Sequence, residues 1–286
     1  MTEDFLQKFM FEELSVKGSI VRLSSSWQDI LLRAKPEAVV RPLLGETLCA
    51  AVLLTSNIKF RGSVNLQMQS GGRARIVLGQ CSHDGRVRGI ARLREDRSLP
   101  LLEKAVLGIN LEPQDGGVPY QGIVEMDSGG LVPAIETYFA RSEQLQSRFW
   151  LAAGGSRCSG LMLQKMPGTS SDPDGWNRVQ HLALSLSENE LQSLDPQQLI
   201  RRIFSQETVR LFPATSVRFA CSCSFAKVTD MLNTLGEKEL LALVAERGHV
   251  EVFCEYCGKD YRLDPIDLAE LNSGQLHSAP RSGGVH

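Results

Sequence analysis

A surplus of positive charge, a long apolar run and a phosphate-binding glycine loop are all missing from this sequence, and each absence removes a class of function. The chain has 31 Lys plus Arg against 33 Asp plus Glu, a formal charge of −2, so it lacks the basic footprint of a nucleic-acid binder. No apolar run approaches the roughly 18 residues of a membrane helix. The N-terminal MTEDFLQKFMFEELSV is acidic and too polar for a secretory leader. These features lead us to expect a soluble, cytoplasmic protein that binds neither nucleic acid nor membrane. There is no G-x-x-x-x-G-K-[ST] and no G-x-G-x-x-G after a strand, hence no sign of a nucleotide site. No Ser or Cys nucleophile motif accompanies His83, which reads as a surface histidine beside the Asp84-Gly85 turn. Internal repeats and long low-complexity segments are absent too.

What is present suits an ordinary globular chain: 42% hydrophobic residues over 286 positions allow a sizeable core and about two domains. The pattern predicts an α+β fold, with a mixed sheet and packed helices over residues 1–175. GSIVRLSS reads as a strand, SSWQDILLRA as a helix stopped by Pro36, and PLLGETLCAAVLLTSNI as a long apolar helix packed on a sheet. SVNLQMQ, RARIVLGQ and RVRGIARL form a meander joined by SGG and SHDG turns. After a looser stretch, VPYQGIVEM is a strand and GGLVPAIETYFARSEQL a helix, with Ile135, Tyr138 and Phe139 on one side. RFWLAAG and RCSGLMLQKM are two further strands, and the loop Gly168 to Gly175 ends the domain.

Residues 176–217 differ in character. WNRVQHLALSL, SENELQSL and DPQQLIRRIFSQ read as three short helices with Ser or Asp caps. Helices of two or three turns need tertiary support to persist. Residues 218–286 carry FAKVTDMLNTL and GEKELLALVAERG as helices, HVEVF as a strand, DPIDLAEL as a short helix and a disordered tail.

Four of the seven cysteines sit here, in RFACSCSF and EVFCEYCGKDY: Cys221, Cys223, Cys254 and Cys257. A C-x-C and a C-x-x-C brought together by a helical hairpin have the layout of a four-thiolate zinc site. Such a shell is closed, leaving no position for a reactive water. From Arg218 onward there are 7 Lys plus Arg against 10 Asp plus Glu, which argues against a phosphate-contacting finger. Two readings stay open on spacing alone: a structural zinc clasp, or a redox switch in which oxidation of the thiolates ejects the metal and its contribution to folding.

The wording of these segments adds more. FACSCSFAKVTDMLNTLGEKEL with GHVEVFCEYCGKDYRL resembles the zinc domain of the redox-regulated thirty-three-kilodalton heat-shock chaperones (the HslO family). RPLLGETLCAAVLLTSNIKFRGSVNLQMQSGG, VPYQGIVEM and IETYFARSEQL are similar to that family's signature stretches, in the same order. The resemblance implies an ATP-independent holdase, quiet while reduced and zinc-bound, rather than an enzyme in the ordinary sense. It implies that Cys221, Cys223, Cys254 and Cys257 are both zinc ligands and redox-active thiols. The implied disulfides are Cys221 with Cys223 and Cys254 with Cys257. It also implies a metastable linker over 176–217, and a homodimeric active form that holds unfolding clients.

Two other readings compete. One is a thiol-disulfide oxidoreductase working through Cys254 and Cys257, although the βαβ context that frames such a motif is missing. The other is a static zinc-stabilised interaction protein. Cys49, in an apolar helix, reads as a small buried hydrophobe. Cys81 and Cys158 fall at strand or turn positions outside the motif. His249 lies near the second pair, but four thiolates already complete a shell. Glu136 and Glu143 share a helix and read as a solvated face.

Overall fold

The structure, a computed structural model, describes residues 4–57, 61–126, 129–168, 172–235, 240, 242, 245, 248–265 and 267. The chain divides into two compact units, residues 1–220 and 221–286. The three-helix segment therefore belongs to the first unit.

The first unit opens with strands β1 (Phe5–Phe11) and β2 (Val16–Leu23), then helices α1 (Ser25–Ala34) and α2 (Arg41–Thr55). The meander follows as β3 (Gly62–Gln69), β4 (Ala74–Ser82) and β5 (Arg86–Leu93). Next come β6 (Ala105–Pro113), β7 (Tyr120–Met126), α3 (Leu131–Tyr138) with a π-type turn, β8 (Ser147–Ala153) and β9 (Cys158–Lys165). Helices α4 (Gly175–Ala183), α5 (Glu188–Ser193) and α6 (Pro196–Ile203) lead to three short strands, β10 (Val209–Leu211), β11 (Thr215–Ser216) and β12 (Arg218–Phe219).

Two sheets result. One runs β10-β1-β2-β9-β8, with β11 also on β1; the other runs β12-β5-β4-β3-β6-β7. Pairings are antiparallel except β12 on β5. Helix α2 is the core helix between them: all of Leu43 to Thr55 is buried except Glu46. Its own Leu44 and Leu48 bury completely, as do Leu66, Val77, Leu107 and Met162 of the two sheets. The 18 residues Ala38–Thr55 are long and apolar enough to cross a membrane, contrary to the sequence expectation. Burial inside the protein accounts for that composition.

The looser stretch contains β6, whose Ala105, Leu107 and Ile109 point into the core on alternate positions. Asp4, buried, accepts hydrogen bonds from the backbone N–H groups of Ser24, Ser25 and Ser26 and so caps α1 from a distant strand. The predicted C-terminal end of α2 at Ile58, and the centre of the Gly168–Gly175 loop, lie outside the described residues.

The second unit contains helix α7 (Phe225–Asn233) and a hairpin of β13 (Val250–Phe253) and β14 (Asp260–Leu263). Among the described residues its apolar core is Val228, Leu232, Leu240, Val250, Tyr261 and Leu263. Most of the expected helix over 236–248, most of the expected helix over 264–271 and the tail lie outside the described residues.

Candidate metal centre

Local geometry explains how each pair is aimed. Cys221 and Cys223 stand in extended chain just before α7, whose first turn is capped by the Ser224 hydroxyl accepting from Lys227 N–H. On the other side, β13 delivers Cys254 to a tight turn: Gly258 N–H donates to Cys254 C=O at 2.8 Å, and Cys254 N–H to Lys259 C=O at 2.9 Å. Gly258 has φ +70°, a left-handed conformation that a side chain would strain. The turn folds Cys257 back towards Cys254 on the same side.

The four sulfurs converge within 4.8 Å of one another. Cys221 Sγ lies 3.6 Å from Cys254 Sγ, and Cys223 Sγ lies 3.4 Å from Cys257 Sγ. None of the four is in a disulfide, and all are half-buried. A tetrahedral ion with metal–sulfur bonds of about 2.3 Å separates its ligands by about 3.8 Å, so the donor set fits a metal ion. Four thiols this close cannot all ionise without a cation. Burial pushes the Cys257 thiol up to about 12 and also raises Cys221. Burial acts on Cys223 in the same sense, but the nearby Tyr261 hydroxyl and the other thiols outweigh it and bring Cys223 down to about 7. The cluster thus favours a thiolate at one sulfur that the others solvate. The buried Tyr261 hydroxyl has no full hydrogen bond of its own, and the Cys223 sulfur is the group it favours as thiolate. Sequence reasoning did not single out Tyr261 or Gly258; the run C-x-x-C-G-x-x-Y carried the signal, since the glycine closes the turn and the tyrosine lies in the return strand.

The remaining cysteines sit in the core of the first unit. Cys49 and Cys158 are fully buried, on α2 and β9, with their thiols near one another. Burial holds Cys49 far above the usual thiol range and pushes Cys81 up to about 12, so these are inert side chains in the folded protein. His83 is exposed. His249 pairs with Glu251 at 2.9 Å. Glu136 is not a solvated residue: it accepts from Arg148 at 2.6 Å and from Phe149 N–H at 3.0 Å. Glu143 accepts from the Tyr138 hydroxyl at 2.8 Å.

A second feature lies upstream of Cys221. One face of the first sheet, made of Phe9, Phe11, Val16, Ile20, Ala152, Leu161 and Leu163, is apolar. Helices α4 to α6 cover it with Trp176, Val179, Leu191, Leu199, Ile200, Ile203 and Phe204. Phe204 packs edge-on against Phe11, with centroids 4.9 Å apart. Polar tethers are few. Arg22 donates to the carbonyls of Leu191 and Leu194, Arg157 to that of Gln192, and Arg148 to the Gln180 side chain.

The family profile described as "Hsp33 protein" matches residues 4–264. The chain is 37% identical over 287 residues to the 33 kDa chaperonin of Nitrosococcus oceani, covering 99% of each. It is 36% identical over 280 residues to the 33 kDa chaperonin of Methylobacillus flagellatus, covering 96% of each. The crystal structure of the 33 kDa chaperonin of Thermotoga maritima superposes with a TM-score of 0.80 at 22% identity, covering 95% of this chain and 98% of that one, which is a likeness of fold.

Proposed function

Because the chain belongs to the Hsp33 chaperone family, we propose that it is an ATP-independent holdase for unfolding proteins, switched on by oxidation of its four-cysteine centre. In the resting form Cys221, Cys223, Cys254 and Cys257 hold zinc as thiolates. A bound ion would neutralise their charge and tie α7 to the β13–β14 hairpin, in a unit whose described apolar core is six residues. Two equivalents of peroxide, one per pair, each take two electrons and, with two protons, become two waters, as the Cys221–Cys223 and Cys254–Cys257 bonds form. The sulfur lone pairs that held the metal are then no longer available, and the unit loses that contribution to its folding.

The observation that carries the reading is the covered sheet face. Residues 176–217 act as the metastable linker between a client-binding domain at 1–175 and a redox domain at 218–286. They rest on an apolar surface that would otherwise attract partners. The chain passes from this cover through β12 directly into Cys221. Unfolding downstream would thus begin at the chain end of a segment whose three helices are too short to stand alone. The active form, in the cytoplasm, is a homodimer that keeps clients from aggregating until reducing conditions return.

The test treats reduced protein with peroxide at elevated temperature. Zinc release is read with a colorimetric chelator, free thiols are counted, and aggregation of a thermally unfolding client is followed by light scattering. We expect four thiols to vanish as zinc appears and scattering falls. Zinc retained with client protection unchanged would reduce the centre to a structural clasp. Turnover in an insulin-reduction assay would favour the oxidoreductase.

A further inference from the structure

The cover does more than sit on a face; it also fills a strand edge. Strand β2 occupies one side of β1, pairing Phe5↔Arg22 through Phe11↔Val16. The other side is taken, among the described residues, by β10 and β11, both supplied by the segment that follows α6. The pairs are Phe9↔Leu211, Met10↔Arg210, Phe11↔Val209, Phe5↔Ser216 and Leu6↔Thr215. Main-chain bonds continue beyond the strands at both ends. Glu12 N–H donates to Thr208 C=O at 3.0 Å, Phe212 N–H to Lys8 C=O at 2.9 Å, and Val217 N–H to Asp4 C=O at 3.3 Å. The backbone groups of alternate residues from Asp4 to Glu12 therefore face this edge, and the strap satisfies them.

The strap holds on by backbone more than by side chain. Val209 and Leu211 point to the apolar cluster and are only partly buried, Arg210 is exposed between them, and Pro213 breaks the strap in two. A short, interrupted strand that contributes an alternating apolar pattern is a weak occupant of a long edge.

We propose that residues 208–217 are a built-in stand-in for the client, and that the oxidised chaperone receives an extended segment of an unfolding polypeptide as an added antiparallel strand on β1. The fitting partner has free main-chain N–H and C=O groups and an apolar side chain at every second position, the pattern Val209 and Leu211 now supply. Unfolding proteins present such segments whatever their sequence, because the backbone is common to all of them. This inference rests on the release of the linker proposed above.

The experiment uses the full chain and a fluorescein-labelled peptide of residues 206–217, read by anisotropy. Binding is expected to the oxidised, zinc-free protein and not to the reduced one. N-methylation at Arg210 and Phe212, whose amides face β1, should weaken binding about tenfold or more, whereas N-methylation at Val209 and Leu211, which face away, should change it about twofold or less. Unlabelled peptide in excess should restore client aggregation. Equal binding of the two methylated peptides, or client holding that saturating peptide leaves untouched, overturns the proposal. The reduced variant Arg210→Pro separates this from the redox reading: with one strap donor removed, it should bind the peptide without oxidation. Should oxidation fail to suppress client aggregation while Arg210→Pro binds the peptide, the redox switch falls and the strand edge stands.

Discussion

Glu46 is a carboxylate out of place. It is the one residue of α2 between Leu43 and Thr55 that is only partly buried, and that partial burial followed by repulsion from Glu188 on α5 raises it to about 7. A carboxyl whose folded pKa exceeds its unfolded value, near 4.3, binds more protons folded than unfolded. Its folded state is therefore favoured below about pH 4 and loses that advantage as pH rises through about 7, beyond which the full penalty persists. Because Glu188 belongs to the cover, the penalty falls on the docking of α5. Glu46→Gln should raise the melting temperature at pH 8 and flatten its decline between pH 5 and pH 8. Differential scanning calorimetry of the reduced protein reads both. A variant with the same slope as the parent would show that the decline arises elsewhere.

At the level of elements, α6 and its C-terminal Phe204 bind the cover most firmly. The helix has both halves of a capping box, Asp195 accepting from Gln198 N–H and Gln198 reaching back to Asp195 N–H, with Pro196 at its first turn. Leu199, Ile200 and Ile203 fall on one face and all bury. These features stand in the sequence, which is why the helices of 176–217 were legible there. Strands β10, β11 and β12 were not legible, since two or three residues carry no periodicity and their pairing depends on strands some 200 positions away or on β5. Strand β6 was legible in principle, from the alternation of Ala105, Leu107 and Ile109, but Gly108 and Asn110 masked it. The zinc-type cluster needed no structure because ligand spacing is a local property, whereas Tyr261 reaches Cys223 only through the fold of the hairpin. Removing the Phe204 ring from between Phe9 and Phe11 should cost about 3–5 kcal/mol, as large-to-small changes in a packed core do. If the cover is the latch of the switch, Phe204→Ala should hold client at a lower temperature after the same oxidation. Proteolysis between 176 and 217 should also quicken in the reduced state. Unchanged proteolysis together with the expected loss of stability would place Phe204 in the general core instead.

For the whole molecule, the decisive asymmetry is between two cores. The first unit encloses α2 between two six-stranded sheets and buries dozens of side chains without help. The second has, among its described residues, six buried apolar side chains and four converging thiols. A bound metal would add to that described core on the order of 10 kcal/mol at neutral pH, set against the chain entropy of ordering these residues. Stripping it with a chelator under reducing conditions isolates that contribution, because no disulfide then forms. Hydrogen exchange followed by mass spectrometry should show amide protection vanishing from α7, β13 and β14 while β3, β4 and β6 keep theirs. Fluorescence of Trp176, in a chain with Trp27 and Trp150 replaced by phenylalanine, would report whether α4 leaves the sheet in the same step. A red shift on chelation alone would make metal loss sufficient for uncovering, and oxidation merely the means of preventing its return. No shift until heat is added would mean the cover has stability of its own, and that the protein requires oxidant and unfolding stress together.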